Sequence, residues 1–207
     1  MEKGEIVIID YGLGNLASVR NMIKRAGGVG RISSDFNDIA NAKKLILPGV
    51  GHFGKGMQNI RQMGLTEVLN KKILNEKTPI LGICLGMQLM TNYSEEGDSD
   101  GLGWIDGVTK KFAFDSSSVK IPNIGWNEIE FKKTNLFQTD EEQRFYFVHS
   151  YKVHCHEESD VLATAVYGGE SYVCAFMRDN IIGMQFHPEK SHRFGVHVFQ
   201  RFIQDIN

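Results

Sequence analysis

Gly82-Ile83-Cys84-Leu85-Gly86-Met87-Gln88 sets a cysteine between an apolar run and a helical pattern, with a glycine two residues away on either side. A strand that ends on a nucleophilic side chain and turns at once into a helix is a nucleophile elbow. Glycine suits it because backbone meets backbone in so tight a turn, where a Cβ would clash. The unpaired N–H groups and positive dipole end of the helix then face the sulfur and favour thiolate over thiol. The N–H of Leu85 would point at an oxyanion formed by attack of that sulfur. Taken alone, the pattern equally describes a small buried cysteine whose glycines only shape a turn.

Gln185-Phe186-His187-Pro188-Glu189 offers the partners such a cysteine needs. A strand carries His187 to its end, and Pro188 stops the ladder. His187 and Glu189 stand two apart, so in extended chain they lean to the same side. The carboxylate could then orient an imidazole that takes the thiol proton. A lone His-x-Glu is more often a surface ion pair; beside an elbow cysteine it gains meaning. Pro48-Gly49-Val50-Gly51 follows another apolar run, and its glycines could aim a second backbone N–H at the same oxyanion. One such donor contributes about 3–4 kcal/mol to the transition state. An ordinary strand-end turn reads the same way.

Other patterns compete. Gly12-x-Gly14-x-x-Ala17 with Asp35 further on satisfies a relaxed dinucleotide fingerprint, which would make this a non-catalytic nucleotide-binding α/β subunit. Against it, the stretch before Asp35 is a poor second strand, and Asn15 and Leu16 crowd the pyrophosphate position. Of His154-Cys155-His156 only the two histidines share a side of a strand, and two ligands do not make a zinc site. No metal site is expected, and both histidines read as solvated. Cys174 reads as core, His149 could pack or line a pocket, and Glu95-Glu96-Gly97-Asp98 reads as a solvated loop.

The elements that must hold these residues alternate in the first half. Apolar runs at 5–10, 44–47 and 79–83 read as strands; helical spacing follows at 16–26, 55–76 and 85–93. Continuous apolar strands between helices imply a parallel sheet covered on both faces. Beyond Gly103 short strand candidates at 127–131, 145–148, 161–166, 172–176 and 181–186 are separated by polar turns, which favours an antiparallel or mixed extension. Val198, Phe199, Phe202, Ile203 and Ile206 form the apolar stripe of a last helix. The expected fold is one α/β domain over 1–207, a mostly parallel central sheet flanked by helices with a mixed C-terminal extension.

Composition narrows the function classes. With 42% hydrophobic residues in 207 the chain can bury a core, which excludes disorder. A balance of 23 basic against 25 acidic residues argues against a nucleic-acid partner. No apolar run reaches the roughly 20 residues of a membrane span. MEKGEIVIID lacks a leader pattern, and three scattered cysteines are no disulfide framework, so a soluble cytoplasmic protein is expected.

Together G-I-C-L-G-M-Q, F-H-P-E-K-S and P-G-V-G resemble the triad (class I) glutamine amidotransferases. Y-G-L-G-N, S-E-E-G, G-W-N and F-V-H-S-Y extend the likeness along the whole chain, toward the group of glutaminase subunits serving imidazole glycerol phosphate synthases. The resemblance implies Cys84 as nucleophile, His187 as base then acid, and Glu189 as orienting carboxylate. It implies oxyanion donors from Leu85 and the Val50 loop, and glutamine held by Gly49, Gly51, Gln88, Ser150 and Tyr151. It implies no cofactor, and ammonia passed to a separate (β/α)₈-barrel synthase (cyclase) subunit at a face carrying Asn15, Trp126 and Lys190. It also implies activation by that partner, with the oxyanion loop mispositioned beforehand. Val50 would resist a backbone flip more than glycine does.

Three stretches depart from the histidine-pathway pattern. Asn123 stands where histidine is expected, and Gly103-Trp104-Ile105 and Ser191-His192-Arg193-Phe194-Gly195 lean toward a paralogous group. Those paralogs supply ammonia to an amidotransferase acting on an N-acetyl sugar for surface polysaccharide. The departures bear on the partner, not on the triad.

Overall fold

The computed structural model describes residues 5–114, 119–135 and 137–206. The first four residues, part of the stretch read for a leader, lie outside them. The strands are β1 (Glu5–Ile9), β2 (Val29–Ser33), β3 (Lys44–Gly49), β4 (Ile80–Cys84), β5 (Tyr93–Ser94), β6 (Ser99–Asp100) and β7 (Gly107–Lys111). They continue with β8 (Asn123–Glu128), β9 (Glu130–Phe131), β10 (Arg144–His149), β11 (Tyr151–Cys155), β12 (Val161–Tyr167), β13 (Glu170–Arg178) and β14 (Ile181–Met184). The helices are α1 (Leu16–Arg25), α2 (Phe36–Asn41), α3 (Phe53–Gln62), α4 (Leu65–Asn70), α5 (Leu85–Leu89) and α6 (His192–Gln204).

The main sheet runs β2-β1-β3-β4-β14-β13-β11-β7-β5-β6, with β12 and β9 branching from β13. Its first five strands are parallel, and pairing turns antiparallel at β13. That is the mostly parallel sheet with a mixed extension expected from the apolar runs. Alternate residues of one strand enter opposite cores, as the two-residue period of a strand requires. Ile6 and Ile8 join Val19, Ile23, Phe199 and Phe202 from α1 and α6, under Phe145 and Phe147 of β10. Val7 and Ile9 join Ile39, Met57, Ile60, Val68 and Leu89 from α2–α5. Among the described residues no helix is long and apolar enough to cross a membrane.

Three expectations are corrected. The stretch before Asp35 is a true strand, β2, paired in parallel with β1. It sits at the sheet edge, where half-buried positions do not demand an apolar run. The helix after Cys84 stops at Leu89 rather than reaching Tyr93. Thr91 Oγ1 bonds the Gln88 carbonyl at 2.8 Å, and the chain returns as the short strand β5. Finally, β7 and β11 add an antiparallel pair, between β13 and β5, that the apolar runs did not mark.

Candidate active site

Cys84 is the last residue of β4 and the cap of α5, with φ +53° and ψ −110°. This sparsely populated backbone conformation is stored strain of the kind found at functional turns. The surrounding glycines are sterically required. A Cβ on Gly86 would collide with the Leu47 carbonyl oxygen, and one on Gly82 would come within 2.9 Å of the Gly86 backbone. The turn therefore packs against β3, whose Gly49 pairs in register with Cys84. That register puts the Gly49-Val50-Gly51 loop beside the sulfur. A Cβ on Gly49 would strike the Tyr11 hydroxyl and approach Leu85 Cβ to 2.8 Å, so only glycine lets the loop lie this close.

β14 pairs with β4 in parallel, Met184 beside Ile83, and carries the chain on to His187. The backbone there is clamped. His187 N–H donates to the Tyr146 carbonyl at 2.9 Å, while Ser191 Oγ donates to the His187 carbonyl at 2.7 Å and accepts from Tyr146 N–H at 3.0 Å. Pro188 opens a single 3₁₀ turn that brings Glu189 under the ring. Glu189 Oε1 lies 2.8 Å from His187 Nδ1, and the two side chains are 2% and 1% exposed. Burial alone would lower the His187 pKa. Hydrogen bonding and charge from Cys84 and Glu189 outweigh it and carry it up to about 10. His187 Nε2 is buried without a completed hydrogen bond to the protein. The ring is thus tethered to a carboxylate through Nδ1, with Nε2 left for a proton exchanged with sulfur. Such bonds are often long before substrate arrives.

A cavity of about 280 Å³ opens over Cys84, lined among others by Val50, Gly51, Leu85, Gln88, Glu96, Ser150 and Tyr151. That is at the lower end of the roughly 300–1,000 Å³ of small-molecule sites. Gln88 is buried and donates to the Tyr151 carbonyl at 3.2 Å and to Gln185 Oε1 at 3.0 Å. Cys84 Sγ lies 3.9 Å from the Val148 carbonyl oxygen, and Gln185 Nε2 donates to it at 3.7 Å. Cys84, Val50, Leu85, Gly51, Gln88, Ser150 and Tyr151 thus meet at one cavity, with Gly49 shaping the adjoining loop.

Glu96 and Gln185 carried no such reading in the sequence, while His149, read there as able to pack or line a pocket, does both. Glu96 departs from the solvated-loop reading that its exposed neighbours Glu95 and Asp98 keep. Its carboxylate lines the cavity and accepts from the Phe53 N–H at the start of α3, at 2.7 Å. His149 is buried, and burial pulls its pKa down to about 4, so it is neutral. Its Nδ1–H donates to the Tyr151 carbonyl at 2.7 Å, and Nε2 accepts from Asn123 Nδ2 at 3.2 Å. Asn123 also donates to Tyr172 Oη at 3.1 Å, so this departure from the expected histidine stands behind His149, which lines the cavity. Gln185 links sulfur to Gln88, a contact between residues far apart in the chain.

The remaining predicted residues lie elsewhere. Trp126 is 42% exposed; it stacks on His192 at 5.4 Å and meets Tyr146 edge-on at 6.2 Å. Lys190 Nζ stands 5.6 Å from the same Tyr146 ring, so Trp126 and Lys190 share one face beyond the triad. Asn15 caps α1 through Ser18 N–H at 3.4 Å, and α1 packs on the turn that carries Lys190. Asp35 caps α2 through Asn37 and Asp38 N–H, at 2.8 and 3.1 Å. His154 and His156 are exposed; no metal-binding cluster occurs among the described residues. Cys155 and Cys174 are buried thiols whose pKa values burial raises, the first to about 12.

Comparison with known proteins agrees with this geometry. The family model "Glutamine amidotransferase class-I" matches residues 7–206. The chain is 50% identical to imidazole glycerol phosphate synthase subunit HisH 2 of Methanococcus maripaludis, covering 96% of this chain and 98% of that one. It is 45% identical to the subunit HisH 2 of Pseudomonas aeruginosa over the same shares. In fold it resembles a chain of PurLQS from Thermotoga maritima, with TM-score 0.76, 18% identity and 99% and 100% coverage. A crystal structure of a glutamine amidotransferase gives TM-score 0.73 at 18% identity, over 95% and 97% of the two chains. A match spanning nearly all of β1 through α6, with relatives this similar over their full length, carries the conclusion that the chain belongs to the class-I glutamine amidotransferase family.

Proposed function

We propose that this chain is the glutaminase subunit of an imidazole glycerol phosphate synthase. In this reading residues 1–207 act as one cytoplasmic domain and pass ammonia to a (β/α)₈-barrel cyclase partner in histidine biosynthesis. The observation that carries the chemistry is the buried His187–Glu189 pair beside Cys84 at the floor of a glutamine-sized cavity. The names of the relatives support the pathway.

Cys84 Sγ attacks the side-chain amide carbon of glutamine. The tetrahedral oxyanion forms beside the N–H groups of Leu85 and Val50, and its collapse breaks the C–N bond. Ammonia leaves with a proton from His187. The ring then takes a proton from water, whose hydroxide attacks the thioester, and glutamate departs as the sulfur is freed. A thiolate suits this reaction because it attacks at neutral pH and makes a labile acyl intermediate. Glu96, with the free Oε1 of Gln88, offers acceptors for the α-ammonium of the substrate. Asn15, Trp126 and Lys190 lie on the face assigned to the partner.

The test is glutamate release by the chain, alone and with the cyclase plus its nucleotide ligand, beside Cys84→Ala. Strong stimulation of the parent and no release from the variant are expected. Release by Cys84→Ala at the parental rate would refute the chemistry; stimulation only by a sugar-amidating partner would refute the pathway.

A further inference from the structure

Gln185 is fully buried behind two cavity-lining residues, Cys84 and Gln88, and no step above uses it. Its backbone is fixed at the end of β14 by a 2.9 Å bond from its N–H to the Cys174 carbonyl. Its side chain makes two bonds of opposite sense. Oε1 accepts from Gln88 Nε2 at 3.0 Å, and Nε2 donates to Cys84 Sγ at 3.7 Å, within hydrogen-bond reach for sulfur. Reversing this amide would set a carbonyl oxygen against an anionic sulfur and one NH₂ group against another. A thiolate only accepts, so it fixes which end of Gln185 it meets. Gln88 then has one N–H on Gln185 and the other on the Tyr151 carbonyl, which leaves its Oε1 as an acceptor.

We infer that Gln185 is a positioning residue that holds the Cys84 thiolate through Nε2 and, through Oε1, sets the amide of Gln88 so that its own oxygen meets the substrate ammonium. The inference rests on the proposed role of Cys84 as nucleophile. One side chain, about a hundred residues away in the sequence, thereby couples two events: ionisation of the nucleophile and recognition of the amino acid. The ionisable groups around Cys84 are His187 with Glu189 behind it, Tyr11 against Gly49, His149, whose charge would act on His187, and Glu96 and Tyr151 in the cavity lining. All of them stay in place in the variants below.

Gln185→Glu keeps the acceptor for Gln88 and replaces the donor to sulfur with an acid; Gln185→Met removes both. The readouts are the pH profile of Cys84 alkylation by iodoacetamide, located by mass spectrometry, and the kcat and KM for glutamine in the complex with the synthase partner. The buried Cys155 and Cys174 serve as internal controls. Losing a hydrogen bond to a charged group moves the alkylation midpoint up by about one to two pH units. Gln185→Met is expected to show that shift and Gln185→Glu a larger one, because its carboxylate also repels the thiolate, and both a lower kcat at neutral pH. KM should rise in Gln185→Met and stay within about twofold of the parent in Gln185→Glu. If Gln185→Met does not fold, Gln185→Glu carries the test through its midpoint and its kcat–KM split. A folded variant with an unshifted midpoint overturns this inference alone. Glutamine hydrolysis by Cys84→Ala overturns both it and the proposed chemistry.

Discussion

Replacing Glu189 by glutamine removes one charge from the centre of the site and almost no volume. The Nδ1–Oε1 distance of 2.8 Å and the near-complete burial of both side chains make this a desolvated, charge-assisted bond. The amide oxygen of the introduced side chain can still accept from Nδ1–H, so the ring orientation survives; the charge that favours the imidazolium does not. Hydrogen bonds to charged groups contribute about 1.5–3 kcal/mol, which corresponds to about a 10–150-fold loss in rate. We expect kcat for glutamine to fall by that factor with KM little changed, measured as glutamate release in the synthase complex. The same variant makes a signed prediction about stability. The folded-state pKa of His187 lies above its ordinary value of 6.5, near 10. Its contribution is therefore complete below about pH 6.5 and fades as pH rises through about 10. The melting-temperature deficit of Glu189→Gln should be largest near pH 6 and shrink toward pH 10. A parental rate, or a deficit that grows with pH, would refute the role given to this pair.

Two further outcomes follow from packing. Gly86→Ala drives a methyl group into the Leu47 carbonyl; overpacking of this kind costs about 1–3 kcal/mol, which calorimetry should register as a melting temperature lower by about 2–12 °C. Trp126→Ala removes an exposed ring stacked on His192; under the proposed partner face it should weaken association by about 30-fold or more in titration calorimetry, with the pH profile of Cys84 alkylation in the lone chain unchanged.

What could be seen in the sequence was whatever is local. The elbow announces itself because Gly82, Cys84 and Gly86 are neighbours, and the sterics that demand glycine act within one turn. The His187–Glu189 contact was legible because the two residues stand only two apart. Glu96 and Gln185 were not, because their meaning comes from chain segments folded against them from afar: the start of α3 for the first, Cys84 and Gln88 for the second. A run of acids looks solvated until a helix terminus arrives beside one of them. β2 was undervalued because Val29-Gly30-Arg31-Ile32-Ser33 lacks a continuous apolar run, and an edge strand needs none.

The place of β14 in the sheet has a consequence for how the site comes into being. β14 lies between β4 and β13, although about a hundred residues separate it from β4 in the chain. Cys84 thus sits in local strand–helix units of the first half, while His187 arrives with the last strand of the sheet. Closing so long a loop is slow relative to local structure formation. A chain that has completed only the first four strands carries Cys84 but neither His187 nor Glu189. Under the proposed mechanism, insertion of β14 both closes the sheet and supplies the base, which would tie glutaminase activity to the completion of folding.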